Sequence, residues 1–341
     1  MEFEVMRVPL PVQVGPGGWG YGTAIIGLPG TTSVLFTLPG GARTPWCTVD
    51  LPTGRILRGT GMPGPLRAAL FPSVVADDPR PWVLGAYGLG RLQFEPRPTV
   101  TDVVRKSLGK WQTSLVDLGS DLLGVGHRRT RSMALVNALD GRFVKRFRAA
   151  GGGIGYGLPN GQVRILGLHH AEACDFDPAA FKVTARHAVP YGTDAVLADD
   201  AVIALVGERR DIERVYDVRE LPDEGTSVLS TAPPAADDVA VDLGWNVLPR
   251  RVVVCGAIDL RVRREESAPA GTVQILGRDS DGRIVLGTRT GLVLLDQQTL
   301  STVAEYRTVR EIGGAGLCAA TNAAALIGAD EDLSVLTVVR W

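Results

Sequence analysis

The sequence predicts an all-β chain in which one unit of about forty residues is copied around a ring. Three observations support this prediction: a recurring motif, its regular spacing, and short β-branched segments separated by Gly, Pro and Asp turns. The motif is an aliphatic run that ends near a glycine, a polar turn and a second apolar run. Two clear copies are WVLGAYGLGRLQF (82–94) and IVLGTRTGLVLLD (284–296).

The glycines that mark the motif recur at nearly constant intervals. The intervals are 39, 43, 40, 49, 31 and 41 residues between Gly85, Gly124, Gly167, Gly207, Gly256, Gly287 and Gly328. The long and the short interval together make two periods. A period near forty fits a four-stranded blade of a β-propeller, whereas helical solenoids need segments longer than the runs seen here.

We therefore predict a single β-propeller domain over residues 1–341. Eight four-stranded blades are expected, with seven as the alternative, because 252–272 lacks a clean third strand. The expected blades are 18–63, 64–112, 113–152, 153–192, 193–233, 234–272, 273–314 and 315–341. Each marker glycine is assigned to the second strand of a blade.

The N-terminal segment is predicted to close the ring. The last blade has only three strands before Trp341, and residues 1–14 contain EFEVMRVPLPV, which alternates as a strand should. Pairing this segment with the last blade leaves no free sheet edge and ties both termini into one ring.

Two segments carry a family resemblance. LVNALDGRFVKRF and LVLLDQQTLSTVAEY resemble the repeats of WD40-like and quinoprotein-like propellers. The resemblance runs through most of the chain and implies the propeller fold only. A regular Trp-Asp dipeptide and a repeated tryptophan-docking motif are both missing, so no specific functional family follows.

Composition narrows the choice of partners. With 36 basic and 37 acidic residues the net charge is −1, so we expect neither nucleic acid nor a membrane as partner. The four cysteines are far apart and lack metal-ligand spacing, which predicts no metal site and no disulfide framework. No cofactor motif is found, and the start of the chain does not read as a signal peptide, so a cytoplasmic protein is expected.

One face of the predicted disc gathers the chemically useful side chains. In an antiparallel blade the turns between the second and third strands emerge on the same face as the connections between blades. We call this face the mouth of the propeller. Its candidate acid–base groups are His127, His169, His170, Tyr156 and Tyr191. The candidate ligand-binding residues are Trp19, Tyr21, Tyr87, Trp111, Arg128, Arg209 and Arg289.

Each candidate also has a simpler interpretation. A histidine in a solvent-facing turn is usually an ordinary polar turn residue, and the aromatic residues of GPGGWGYG (15–22) and AAGGGIGYG (149–157) often pack between sheets. Gly15, Gly17 and Gly20 satisfy GxGxxG, but a strand follows them instead of a helix, which argues against a dinucleotide site.

Two functions remain open at this point. The first is a binding module that holds a peptide, a protein partner or a small ligand on the loop face and in the central funnel. The second is an enzyme without a redox cofactor, a lyase, isomerase or cyclase, with the His and Tyr side chains as acid–base groups. A sugar-lactone hydrolase or a quinoprotein dehydrogenase is a weaker third option, since the metal carboxylates and export signal usual to them are not evident.

Overall fold

The computed structural model describes residues 1–11, 24–28, 30–38, 43–70, 80–104, 108, 114–126, 130–209, 247–330, 332 and 334–341. Within them the chain is almost entirely β. The strands are β1 (Glu4–Pro9), β2 (Ile26–Gly27), β3 (Ser33–Thr37), β4 (Thr44–Asp50), β5 (Ile56–Met62), β6 (Leu66–Leu70), β7 (Trp82–Gly85), β8 (Gly88–Gln93), β9 (Thr99–Val104), β10 (Ser114–Gly119), β11 (Leu122–Gly126), β12 (Ser132–Asn137), β13 (Phe143–Arg148), β14 (Ile154–Gly157), β15 (Val163–Gly167), β16 (Glu172–Asp177), β17 (Lys182–Ala188), β18 (Gly192–Ala198), β19 (Ala201–Arg209), β20 (Val247–Gly256), β21 (Val262–Ser267), β22 (Thr272–Arg278), β23 (Ile284–Thr288), β24 (Gly291–Leu295), β25 (Thr302–Arg307), β26 (Gly314–Cys318), β27 (Ala323–Ile327) and β28 (Val335–Arg340). Two short 3₁₀ helices, Leu168–His170 and Ala319–Thr321, complete the described secondary structure.

The described strands form seven four-stranded antiparallel blades of a β-propeller. The outer strands of the first two blades, β5 and β9, also pair in parallel where Thr60 lies opposite Thr99, so these two blades share one eight-stranded sheet. Six follow the chain: β2–β5, β6–β9, β10–β13, β14–β17, β18–β21 and β22–β25, here blades 1 to 6. Blade 7 contains β26, β27, β28 and, outermost, β1. Strands β10 to β13 all lie within 113–152, the range expected for one blade.

Ring closure by the N-terminal strand is also confirmed. Strand β1 runs antiparallel to β28, from Glu4 opposite Arg340 to Pro9 opposite Val335. The Phe3 ring packs edge-on against Trp341 and Tyr306, with centroids 6.4 and 5.6 Å away. The chain start is therefore held to blades 6 and 7 by side-chain packing as well as by backbone pairing.

The hydrophobic core is divided among the blade interfaces. Among the described residues there are seven clusters of buried side chains, and each lies between two neighbouring blades. For example, Trp46 of blade 1 packs with Val83 and Leu92 of blade 2. The ring is complete because the cluster between blades 7 and 1 joins Val338 to Phe36.

The described strands of residues 193–272 form one blade, where the sequence predicts two. These strands, β18 to β21, form one sheet in which β19 pairs directly with β20, Ala201 opposite Gly256. Gly256 therefore ends a third strand, not a second. Segment 210–246, nearly one period long, lies between the paired strands and outside the described residues. Its length made the marker spacing look like an extra blade, and the smaller blade number is the one that the described strands form.

The marker glycines have a packing reason. Gly167 ends β15, and a Cβ there would lie 1.8 Å from the carbonyl oxygen of Ala150 in the connection that enters the blade. At Gly85 a Cβ would lie 2.2 Å from the oxygen of Pro63. At these two positions the second strand touches the incoming backbone, so only glycine fits, whereas a Cβ at Gly124 would meet the side chain of Met133.

Arginine side chains join neighbouring blades on the opposite face of the disc. Arg91 of blade 2 donates to the oxygens of Ala138 and Leu139 in blade 3. Arg340 of blade 7 donates to the oxygen of Leu51 in blade 1. Both arginines reach the turn between the third and fourth strands of the next blade, where they satisfy carbonyl groups that the sheet leaves unpaired.

Candidate functional site

A small cavity lies on the predicted face, at the inner strands of blades 3, 4 and 5. Its volume is about 120 Å³. It is lined by Ser114, Gly152, Gly153, Ile154, Leu166, Leu168, His169, Thr193, Asp194 and Ala195. The inner strands β10, β14 and β18 begin at this level, so three connections between or into blades meet around one space.

Two hydroxyl groups in the cavity wall lack hydrogen-bond partners among the described residues. They are Oγ of Ser114 and Oγ1 of Thr193, and both atoms are buried. A buried polar atom left unsatisfied costs about 1–3 kcal/mol, so such atoms are rare in native proteins. Two of them facing one cavity indicate a place where a polar group from outside completes the hydrogen bonding.

Asp194 gives the cavity a fixed carboxylate. Its Oδ2 accepts a hydrogen bond of 3.0 Å from the backbone N–H of Ile275, in the inner strand of blade 6. Its Oδ1 accepts one of 3.0 Å from the N–H of Ala195. These bonds hold the carboxylate in place between blades 5 and 6, and its charge disfavours an anionic group in the cavity.

The two neighbouring histidines take different positions. Both belong to the 3₁₀ helix between β15 and β16, which Ala171 ends in the left-handed conformation. His169 lines the cavity. The ring of His170 instead packs against the blade connection, where a Cβ on Gly151 would lie 2.5 Å from its Cδ2. Both rings are half-buried, and only His169 is placed to meet a bound group.

The predicted position of Tyr156 is wrong. This residue lies within β14, and its hydroxyl donates a 3.0 Å hydrogen bond to the oxygen of Ala257 on the opposite face. Burial raises the pKa of Tyr156 to about 12. Strand β14 begins at Ile154, two residues before Tyr156, so this side chain lies inside a strand and not in the glycine-rich connection.

Tyr156 is part of a buried polar cluster that joins blades 4 and 5. Arg164 forms a two-pronged ion pair with Asp175, with N–O distances of 2.6 and 2.9 Å, and also donates to the oxygen of Ala257. His187 lies 2.9 Å from the second oxygen of Asp175. Each group has a partner here, which is typical of a structural link between blades.

The other candidates with described side chains lie apart from the cavity. Tyr191 is half-buried in the connection before β18, and its backbone oxygen accepts from the N–H of Gly207 at 3.1 Å. Tyr87 lies in the β7–β8 turn, is 43% exposed and covers Gly64. Arg289 is in the β23–β24 turn, as expected for this face. None of the three lines the cavity.

Several predicted residues cannot be placed. His127, Arg128, Trp19, Tyr21 and Trp111 lie outside the described residues, and Arg209 ends β19 with its side chain also outside them. The sequence analysis missed Ser114 and Thr193. Their one sequence signal is a small hydroxyl residue at the start of an inner strand, next to glycine at position 192 and within TSLVDLG at 113–119.

Comparison with known proteins shows the fold. No protein-family model and no curated protein matches the sequence. Among solved structures, the Pan2 WD40 domain of Neurospora crassa superimposes with a TM-score of 0.64 at 11% identity, over 99% of this chain and 94% of that one. The Cps50 (Swd1) propeller of Myceliophteria thermophila gives 0.64 at 8%, over 98% and 99%.

A third match is an enzyme. A catalytically inactive virginiamycin B lyase from Staphylococcus aureus, solved with quinupristin, gives a TM-score of 0.64 at 9% identity over 100% of both chains. Identities this low show a common architecture. The chain is a β-propeller similar to WD40 and lyase propellers, without a specific family. Among the described residues no helix is long and apolar enough to span a membrane.

Proposed function

We propose that this propeller is a binding module that holds one polar group of its ligand in the cavity between blades 3 and 5. The single observation that carries the proposal is the pair of buried hydroxyls, Ser114 Oγ and Thr193 Oγ1, with no partner among the described residues. A ligand that supplies both partners recovers the free energy that their burial costs.

The size of the cavity restricts what enters it. Its volume is about 120 Å³. Pockets that enclose a whole small molecule are several times larger. The cavity therefore takes a group the size of a short side chain, while the rest of the ligand lies on the loop face. A peptide or protein partner meets this requirement best.

The chemistry of the wall selects the group. The hydroxyls both donate and accept, Asp194 only accepts, and the described lining contains no lysine or arginine. A carboxylate or phosphate entering the cavity is repelled by Asp194. We expect a neutral polar or a cationic group, such as a hydroxyl, a carboxamide or an ammonium.

A peptide array tests the proposal. The full chain is probed against peptides that vary one central residue, and Ser, Asn, Gln and Lys should bind while Asp and Glu should not. The double variant S114A/T193V should lose this binding, and T272V should keep it, because Thr272 bonds to Pro269 away from the cavity. Equal binding by S114A/T193V and the wild type would refute the proposal.

A second function is favoured by the position of His169. This imidazole lines the same cavity as the Asp194 carboxylate, so a base and an acceptor both face the group that enters. In this alternative the protein is a lyase, isomerase or cyclase without a redox cofactor, with His169 as the acid–base group. Tyr156 takes no part, because it bonds to Ala257 on the opposite face.

The alternative is tested with a defined compound. Quinupristin, which is bound in the lyase structure above, is incubated with the full chain, and its conversion to a new compound is followed by liquid chromatography. Turnover that disappears in H169Q and persists in H170Q supports the enzyme. Binding without turnover supports the module.

A further inference from the structure

A second and larger cavity lies between blades 5 and 6, on the face opposite the mouth. Its volume is about 480 Å³, within the range of pockets that hold small organic molecules. It is lined by Asp199, Asp200, Ala201, Val254, Arg263, Arg264, Arg278, Gln297 and Gln298. Five separate segments form it: the β18–β19 turn, β20, the start of β21, the end of β22 and the β24–β25 turn.

Three guanidinium groups line this cavity, which we call the groove. Arg263 and Arg264 come from the outer strand of blade 5, and Arg278 from the inner strand of blade 6. Arg278 is the anchored one: its Nε donates to the oxygen of Gly282 at 3.3 Å, and its side chain is only 24% exposed. Guanidinium groups converging from two blades make a preformed receptor for a planar or tetrahedral oxyanion.

Two of these guanidinium groups form ion pairs with exposed carboxylates. Arg278 Nη1 lies 2.6 Å from Asp199 Oδ2, and Arg263 Nη1 lies 2.8 Å from Asp200 Oδ2. The side chains of Asp199 and Asp200 are 78% and 75% exposed, and ion pairs in such positions contribute little to stability. A ligand oxyanion can replace them at small cost.

The third guanidinium group, that of Arg264, contacts a backbone carbonyl. Arg264 Nη1 lies 3.5 Å from the backbone oxygen of Gln297. The nearby carboxylate of Asp296 is engaged in its own turn, where it accepts from the N–H groups of Gln298 and Thr299 at 2.9 and 2.7 Å. Hydrogen bonds from Thr299, together with the charge of Arg264, lower the pKa of Asp296, so these two charges interact. The Asp296 carboxylate is nevertheless hydrogen-bonded within its own turn, which leaves N–H groups of Arg264 to a ligand next to two amide side chains.

We propose that this groove binds the phosphate or carboxylate group of a small organic ligand. In the bound state Arg278 and Arg264 hold the oxyanion, Asp199 and Asp200 move aside into solvent, and Gln297 and Gln298 bind the polar body of the ligand. The two faces of the disc then have opposite preferences, since the mouth excludes anions and the groove selects them.

Titration of the full chain with inorganic phosphate, and separately with citrate, tests the proposal by calorimetry at low ionic strength. Saturable binding is expected, and R278Q and the more exposed R264Q should each weaken it by about tenfold or more. D199N should strengthen it about threefold, because it removes the competing carboxylate. The anion that binds more tightly distinguishes a phosphate from a carboxylate ligand.

R251Q is the matched control, since Arg251 belongs to the same blade and pairs with Glu265 outside the groove. It should leave the affinity within a factor of about two. Absence of saturable binding in both wild type and D199N overturns the proposal, and so does an equal loss in R251Q and R278Q. S114A/T193V should bind phosphate normally, so failure at the mouth and failure at the groove are distinguishable.

Discussion

Replacing Thr193 with valine should make the protein more stable. The substitution keeps the β-branched shape and removes the buried hydroxyl that has no partner among the described residues. Removing such a group recovers part of a penalty of about 1–3 kcal/mol, so we expect a gain of about 1 kcal/mol in the free energy of unfolding. Most core substitutions do the opposite.

The expected shift is measurable. With an unfolding entropy of about 2 cal/mol/K per residue, the 341-residue chain has roughly 0.7 kcal/mol/K, so 1 kcal/mol moves Tm by about 1.5 °C. Calorimetry and urea unfolding of the variant and the wild type provide two independent readings. Both should rise while binding of the array peptides is lost.

Thr272 supplies the matched control. It begins the inner strand of the next blade, and its hydroxyl donates a 2.6 Å hydrogen bond to the oxygen of Pro269. T272V removes a satisfied hydroxyl and should lower the free energy of unfolding by about 1 kcal/mol. If T193V loses stability as T272V does, the Thr193 hydroxyl has a partner in the protein and the argument for the cavity fails.

Three further outcomes follow from the structure. Deleting residues 1–12 removes the outer strand of blade 7 and should give aggregation in size-exclusion chromatography; a soluble protein with unchanged Tm would contradict ring closure. D175N breaks the buried pair with Arg164 and should cost about 3 kcal/mol or more in urea unfolding, with a loss below 1 kcal/mol refuting a buried link. Burial raises the pKa of Asp175, but the hydrogen bonds and charges of Arg164 and His187 lower it by more, so the pKa is below its usual value. The stability that this carboxylate contributes is therefore present above about pH 4 and is lost as the pH falls further. D175N should lack this acid-dependent loss of stability. Y156F should lose about 1 kcal/mol with its bond to Ala257 and leave mouth binding unchanged, and reduced peptide binding would return Tyr156 to the site.

The blade architecture was accessible to sequence analysis because its signals are local. Strand β11 reads LLGVG and is buried throughout, and strand β17 reads KVTARHA and alternates between exposed and half-buried positions. Central and outer strands therefore differ in pattern, and glycine marks the level at which backbones touch. Closure by β1 followed from a missing fourth strand in the last blade.

The number of blades depended on a pairing that sequence spacing does not show. Gly207 and Gly256 mark neighbouring strands of one sheet, because β19 continues into β20 across segment 210–246. Segment 210–246 is nearly as long as one period, so the marker glycines on either side of it read as belonging to successive blades. Strand pairing is a contact between distant residues, and a one-dimensional pattern does not determine it.

The candidate site was only partly predictable for the same reason. The face was expected from chain reversal, and His169 lies there. Ser114 and Thr193 have ordinary strand-start sequences, and their importance comes from burial without a partner, which depends on packing among three blades. Tyr156 was misplaced because a shift of two residues in a strand boundary moves a side chain to another environment.

Because Phe3 contacts Trp341, the chain can be circularly permuted without changing the order of the blades in the ring. Their ring centroids are 6.4 Å apart, so a linker of a few residues can join residue 1 to residue 341 without disturbing blade 7. New ends can then be opened at an exposed turn such as the one at Asp140, between β12 and β13. Such a circular permutant keeps all seven described interfaces and should fold to the same disc.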